Sequence, residues 1–177
     1  MNISQLISQV LLLYTPAIIA NMAPVFAHRY NLLLWLNKPI DFGMRIGDMR
    51  LFGSHKTIRG FVVGTAASAL SGLLLWFFIH ERPYASVAAA MLYGGAVGFA
   101  ALAGDAIKSF FKRRMHIYSG RSWILFDQID FVIGATVAVK LFIDIPLSVL
   151  CAAIILLGVS SYIVSTIGIA LHLKRTL

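Results

Sequence analysis

Apolar and polar positions separate along this chain into long blocks. Five apolar stretches, residues 3–20, 60–79, 85–103, 129–143 and 147–171, alternate with polar segments. A helix needs about 20 apolar residues to cross the hydrocarbon core of a bilayer. The fourth stretch is short and follows Asp127 and Asp130, while the fifth is long enough to tilt. The pattern predicts an all-α integral membrane protein: one domain, residues 1–177, with five transmembrane helices. Asn21 and Pro24 mark the expected end of the first helix. The two long polar segments, residues 21–59 and 104–128, are the expected loops. No Lys or Arg precedes Arg29, so a cleaved signal peptide is not expected.

Composition supports the bilayer reading and adds an orientation. The 177 residues are 59% hydrophobic and 12% charged, against about 45–50% and about 25% in soluble domains. The net charge of +8 on so apolar a chain argues against a free nucleic-acid-binding domain. It points instead to anionic headgroups or phosphate ligands. Of the 15 Lys+Arg, all but Arg82 and Lys140 fall in the two long loops or the C-terminal tail, which holds Lys174 and Arg175. The positive-inside rule then places the N-terminus outside and both loops and the C-terminus in the cytoplasm. Cys151, the single cysteine, lies in an apolar run and reads as a packing residue.

Small residues recur every four positions: Gly60, Gly64, Ser68 and Gly72 in the second span, Ala90, Gly94 and Gly98 in the third. Such stripes let helix backbones approach closely, and could also line a cleft for a lipid tail.

The seven acidic residues carry the candidate chemistry. Glu81 and Asp144 stand at the outer ends of spans; Asp41, Asp48, Asp105, Asp127 and Asp130 lie in or beside the cytoplasmic loops. Helical periodicity runs on past the third span through residues 105–114, placing Asp105, Ser109 and Lys112 on one face. Asp127 and Asp130 share a face at the entry to the fourth span. Three converging carboxylates with room for phosphate and water suit magnesium. The alternative is structural ion pairing with Lys112, Arg113 and Arg114. The segment Phe52-Gly53-Ser54-His55-Lys56-Thr57-Ile58-Arg59-Gly60 sets hydroxyls and basic side chains at the start of the second span. A helix start favours phosphate, although the spacing is not that of a Walker A loop. A plain cationic turn is the other reading. The histidines His28, His55, His80, His116 and His172 are scattered, so zinc is not expected. Neither a GxSxG nucleophile elbow nor an HExxH pair occurs. Trp35, Trp76 and Trp123 lie near the expected interfaces, as aromatic belts do.

The ordered run Gly104-Asp105, Ser109, Lys112-Arg113, then Asp127 and Asp130, resembles the signature of the CDP-diacylglycerol synthases. Lys56-Thr57…Gly60 resembles that family's KT.EG element, with Arg59 in place of the acidic residue. The resemblance is closer to the short archaeal branch, the CDP-archaeol synthases, and extends over the whole chain. It includes Asn21…Pro24, Pro39-Ile40-Asp41-Phe42-Gly43, Asp48, Ser109-Phe110 with Lys112-Arg113-Arg114, and Asp127-Gln128-Ile129-Asp130-Phe131. Two departures stand out. Ser119-Gly120-Arg121-Ser122-Trp123 replaces the bacterial PGHGG turn, and Met49 and His55 occupy positions where the archaeal pattern often has glycine.

The resemblance implies transfer of cytidylyl from CTP to a lipid phosphate, with release of pyrophosphate. It implies Asp105 and Asp127 as Mg2+ ligands, with Asp130 ligating or directly behind them, and leaves a second cation open. Lys56, Arg59, Lys112, Arg113 and Arg114 would clamp phosphates. Ser109 would bond a phosphate or orient a ligand, and Asn21 and Thr57 would join the substrate site. Asp41 and Asp48 would shape the first loop near the cytosine or ribose. The lipid would be an ether-linked digeranylgeranylglyceryl phosphate, with ester-linked phosphatidate as the alternative. The expected partners are CTP, this lipid and the bilayer, with no nucleic acid and no obligate protein partner. A CDP-alcohol phosphotransferase would need a DG..AR…G…D…D motif, which this chain lacks. A transporter would need polar groups at mid-membrane, where these spans are almost free of charge.

Overall fold

The computed structural model describes residues 2–79, 84–117, 123 and 126–170. Five helices form a bundle: α1 (Ile3–Arg29), α2 (Ile58–Phe78), α3 (Val87–Arg114), α4 (Phe126–Phe142) and α5 (Leu147–Ala170). Between α1 and α2 lie a 3-10 turn, Leu34–Leu36, and a hairpin of β1 (Arg45–Ile46) and β2 (Met49–Arg50). Glu81, Arg82, Ser119, Gly120, Arg121, Ser122, Lys174 and Arg175 lie outside the described residues.

Polar side chains set the helix starts. Asn2 and Gln5 form a reciprocal capping box on α1. Thr57 Oγ1 accepts the Gly60 N–H at 3.1 Å to open α2, and Ser86 Oγ accepts the Ala89 N–H at 3.1 Å to open α3. Contrary to expectation, α1 does not end near Asn21. It runs through Pro16 and Pro24 to Arg29. A proline inside a helix frees a carbonyl one turn back, here that of Ala20 for Pro24, and a neighbouring helix can shelter it. Gly64 of α2 packs there: a Cβ on it would lie 2.8 Å from the Ala20 carbonyl oxygen. The start of α4 also differs, because Asp127 falls in its first turn and not in a loop.

Ile3–Arg29, Ile58–Phe78 and Val87–Arg114 are long and apolar enough to cross a membrane, and the Leu147–Ile163 part of α5 is apolar as well. Large apolar side chains such as Leu74, Phe78, Leu92 and Leu141 cover the outside of the bundle. That surface would associate or aggregate in water. The 28 residues of α3 span about 42 Å, beyond a hydrocarbon core of about 30 Å. Its last turns therefore carry the charged residues from Asp105 to Arg114 past the apolar stretch.

At the centre of the bundle, Val10, Tyr14 and Ala17 of α1, Tyr93, Val97 and Ala101 of α3, Val132, Ala135 and Val139 of α4, and Val149 of α5 form one core. The small-residue stripes pack α2 against α3. A methyl on Gly72 or Gly94 would run into the backbone of the facing helix. Ser68 Oγ stands 2.8 Å from the Pro16 carbonyl and 2.5 Å from that of Gly94, tying three helices together. A second close approach joins α3 to α4. A Cβ on Gly104 would lie 2.7 Å from the Asp130 carbonyl oxygen and 3.1 Å from Gly134 Cα. Any larger residue at Gly104 would push Asp130 away from Asp105.

The segment after α1 is closed on itself. Ile40 N–H donates to the Lys56 carbonyl at 2.9 Å, and Ile58 N–H donates to the Lys38 carbonyl at 2.8 Å. Inside it, the fully buried Asp41 accepts from Gly43 N–H at 3.0 Å, Arg50 Nη2 at 2.8 Å and Phe52 N–H at 3.2 Å. Burial pushes the Asp41 carboxyl up, but these donors outweigh it and hold the group below the usual carboxylate range. Gly47, at φ +61°, opens the two-residue turn between β1 and β2. Asp48 completes the turn and is exposed.

Candidate active site

Helix α3 projects Asp105, Lys108 and Lys112 from one face, the i, i+3, i+7 spacing of successive turns. The close packing of α4 brings Asp127 and Asp130 to that face, and the closed loop delivers Lys56. Lys108 Nζ lies 3.1 Å from Asp105 Oδ1, 2.9 Å from Asp127 Oδ1 and 2.6 Å from Asp130 Oδ2. Lys56 donates to Asp105 Oδ2. Lys112 Nζ reaches both oxygens of Asp127, at 3.1 and 2.9 Å. The backbone N–H of Trp123 donates to Asp127 Oδ2 at 2.6 Å. Three carboxylates thus meet three ammoniums in a half-buried cluster, a geometry in which removing one partner leaves an uncompensated charge.

Two cavities meet at this cluster. A polar cleft of about 100 Å³ lies between α1, α2 and α3, lined by Asn21, His55, Lys56, Thr57 and Asp105. A groove of about 610 Å³ runs between α3 and α4, lined by Phe99, Ile107, Ile133 and Val137, with Lys108 and Asp130 at its polar end. Asp105 borders the cleft, and Lys108, one turn on, borders the groove.

Asn21, Lys56, Thr57, Asp105, Lys112, Asp127 and Asp130, all expected at the site, gather here. Other expected residues are engaged elsewhere. Arg59 is buried and donates to His28 Nδ1 at 3.1 Å and the Leu32 carbonyl at 3.4 Å, fastening the end of α1. Arg113 donates to the Ile117 carbonyl, and its guanidinium packs on Gly53, where a Cβ would lie 3.2 Å from Nε. Arg114 donates to the carbonyls of Ile46 at 3.0 Å and Arg50 at 3.2 Å, over the Phe110 ring. The many-donor guanidinium suits such carbonyl clusters better than a single ammonium does. Ser109 Oγ donates to the Asp105 carbonyl of its own helix at 2.9 Å. Asp41 holds the loop together, and Asp48 stands at the hairpin tip.

Composition and charge mark Lys108 only for orientation and do not single out Gly134. Both carried a periodic signal. Lys108 falls on the Asp105–Ser109–Lys112 stripe, and Gly134 falls one turn beyond Asp130. Among the described residues, no three of His, Cys, Asp and Glu are arranged as they stand to hold a metal ion. The three carboxylates are organised around an ammonium instead. Their chemistry nonetheless fits a hard divalent cation, since all the donors are carboxylate oxygens. Among the described residues, Asp130 Oδ2 is also buried without a geometric hydrogen-bond partner, 2.6 Å from Lys108 Nζ.

Fold and site together define a helical membrane protein with a charged centre at one end of the bundle. The family described as "CarS-like: CDP-archaeol synthase" matches residues 3–176. Among similar proteins, the CDP-archaeol synthase of Thermofilum pendens is 38% identical over 143 residues, covering 80% of this chain and 66% of its own length. That of Methanospirillum hungatei is 39% identical over 156 residues, covering 77% and 87%. A solved structure described as an intramembrane enzyme for archaeal membrane lipid biosynthesis superposes with a TM-score of 0.69 at 33% identity. It covers 86% of this chain and 92% of the other. The chain belongs to the CDP-archaeol synthase family.

Proposed function

We propose that this protein transfers the cytidylyl group of CTP to an ether-linked digeranylgeranylglyceryl phosphate, forming the CDP-activated lipid and pyrophosphate. One observation carries the reading. A polar cleft and an apolar groove meet on adjacent turns of α3, at Asp105 and Lys108. A nucleotide and a lipid need two such sites, and a reaction between them needs the sites to touch. The similarity of the chain to named CDP-archaeol synthases supports the same reading.

In this scheme an oxygen of the lipid phosphate attacks the α-phosphorus of CTP. A new P–O bond forms as the bond to the β-phosphate oxygen breaks, and pyrophosphate leaves. The attacking phosphate is anionic at neutral pH, so no side-chain nucleophile is needed. Catalysis rests on positioning and charge stabilisation. Lys56, with Asn21 and Thr57, holds nucleotide phosphates in the cleft. Lys112 steadies Asp127, and the walls of the groove hold the hydrocarbon chains and exclude water. Asp105, Asp127 and Asp130 would hold Mg2+, which when bound neutralises phosphate charge. The cleft opens to the cytoplasm, where CTP resides, with the N-terminus outside.

A detergent assay with labelled CTP and paired ether- and ester-linked lipid phosphates tests this. Pyrophosphate release with the ether lipid, abolished by chelation and restored by Mg2+, is the expected result. Release only with the ester lipid would make the protein a CDP-diacylglycerol synthase, and no release with either would end the reading.

A further inference from the structure

The charged cluster contains one side chain that serves two neighbours at once. Lys108 is the only one of the three lysines within ion-pair distance of all three carboxylates, at 2.6–3.1 Å. It also lines the apolar groove, whereas Lys56 lines the cleft and Lys112 pairs with Asp127. In the cluster three carboxylates, Asp105, Asp127 and Asp130, face three ammoniums, Lys56, Lys108 and Lys112. A divalent cation placed among the carboxylates would leave two positive charges in excess within a few ångströms. The ammonium at their common centre is the one whose position the cation would take. Lys108 already lines the groove, so an ammonium released from the carboxylates has the head of the groove beside it, where a lipid phosphate would stand.

We propose that Lys108 is a displaceable counter-ion that couples cation loading to lipid capture. Without a cation it holds the three carboxylates together. As it yields them to a divalent cation, it turns its ammonium into the head of the groove and pairs with the lipid phosphate. This rests on the proposed reading of the groove as the lipid site, and it adds an order of events: the cation first, then the lipid. It also gives a reason for lysine here. A neutral residue would leave the empty cluster with excess negative charge. A fourth carboxylate would hold the cation but repel the phosphate.

The test uses the full-length protein in detergent micelles, with Mn2+ as the cation probe and a short-chain dialkylglycerol phosphate as the lipid probe, without CTP. Mn2+ binding is read by electron paramagnetic resonance, so no turnover is required. Lys108→Met should bind Mn2+ at least about tenfold more tightly than the parent protein, within the usual range of coupling between sites. Its melting temperature should fall without Mn2+ and recover with it. In the parent protein Mn2+ should tighten binding of the lipid phosphate, and in Lys108→Met that tightening should be lost. Lys108→Arg should keep the lipid response in part and distinguishes loss of charge from loss of fold. Equal Mn2+ affinity in the parent and Lys108→Met would overturn the proposal. So would an undiminished effect of Mn2+ on lipid binding in Lys108→Met, which would mean that the cation alone bridges to the phosphate. Absence of pyrophosphate release in the detergent assay would refute the catalytic reading and leave the Mn2+ result to judge Lys108 separately.

Discussion

The cleft and the groove lie on either side of one helix and are built in opposite ways. The cleft is small and is made by a loop. Lys56 and Thr57 reach it because Lys38 and Ile40 pair with Ile58 and Lys56 across the loop base. The groove is large and is made by helix packing. Gly104 and Gly134 bring α3 and α4 into backbone contact at one level, and Phe99, Ile107, Ile133 and Val137 leave open space around it. A polar ligand needs donors at fixed positions, which a braced loop supplies. A flexible hydrocarbon chain needs volume and an apolar wall, which two helices supply. The difference predicts that damage on the two sides separates kinetically, while damage to the shared carboxylates does not.

Breaking the junction should have the largest effect. Asp105→Asn and Asp127→Asn should each lower turnover with CTP and lipid by at least about a hundredfold, the scale of losing a principal charge stabiliser. Steady-state kinetics with both substrates varied would check it; near-normal turnover would remove that residue from the centre. Filling the groove should come next. Ile133→Trp projects into the groove from a half-exposed position. It should raise KM for the lipid by about tenfold and leave KM for CTP unchanged, the signature of lost uniform binding on one side. Lys56→Ala should give the mirror image, with KM for CTP raised several-fold and that for the lipid nearly constant. Equal changes in both constants would mean that the two cavities are not separate sites.

The smallest effect belongs to the brace of the loop. Asp41→Asn removes the charge that gathers Gly43, Arg50 and Phe52, and should speed proteolytic nicking of the segment between α1 and α2 at pH 7. Because the Asp41 carboxyl is held below its ordinary value, its contribution is complete above the unfolded value of about 3.9. It is lost as pH falls through the lower folded value. Nicking of the parent protein should therefore be insensitive to pH between neutrality and about 4, and a steady rise across that range would contradict the assignment.

Much of the architecture was legible along the chain, for reasons particular residues make plain. The apolar blocks mark helices because a backbone in hydrocarbon must satisfy its own hydrogen bonds. Thr57 and Ser86 cap α2 and α3 by the same local chemistry wherever they occur. Asn21 and Pro24 misled, because their tendency to end a helix is local and the shelter that Gly64 gives the freed Ala20 carbonyl is not. Asp105, Asp127 and Asp130 could be selected by periodicity and rarity. The arginines could not be sorted the same way. Arg59, Arg113 and Arg114 look from their spacing as eligible as Lys56 to bind phosphate, yet the His28 ring and Leu32 carbonyl engage Arg59, the Ile117 carbonyl engages Arg113, and hairpin carbonyls engage Arg114.

By itself, the sequence determined that this chain is built of apolar helices suited to a bilayer and that three of its seven acidic residues stand towards the ends of two of them. It also set basic side chains and hydroxyls beside them, which is why phosphate is the ligand expected there. These properties follow from composition and from the 3.6-residue repeat, which act within one segment at a time. The tertiary structure alone decided that Lys108 stands at the centre of the carboxylates, that a glycine pair brings α4 to Asp105, and that cleft and groove share α3. Each of these depends on residues far apart in the chain meeting at ångström distances, and no periodicity within a segment encodes that meeting.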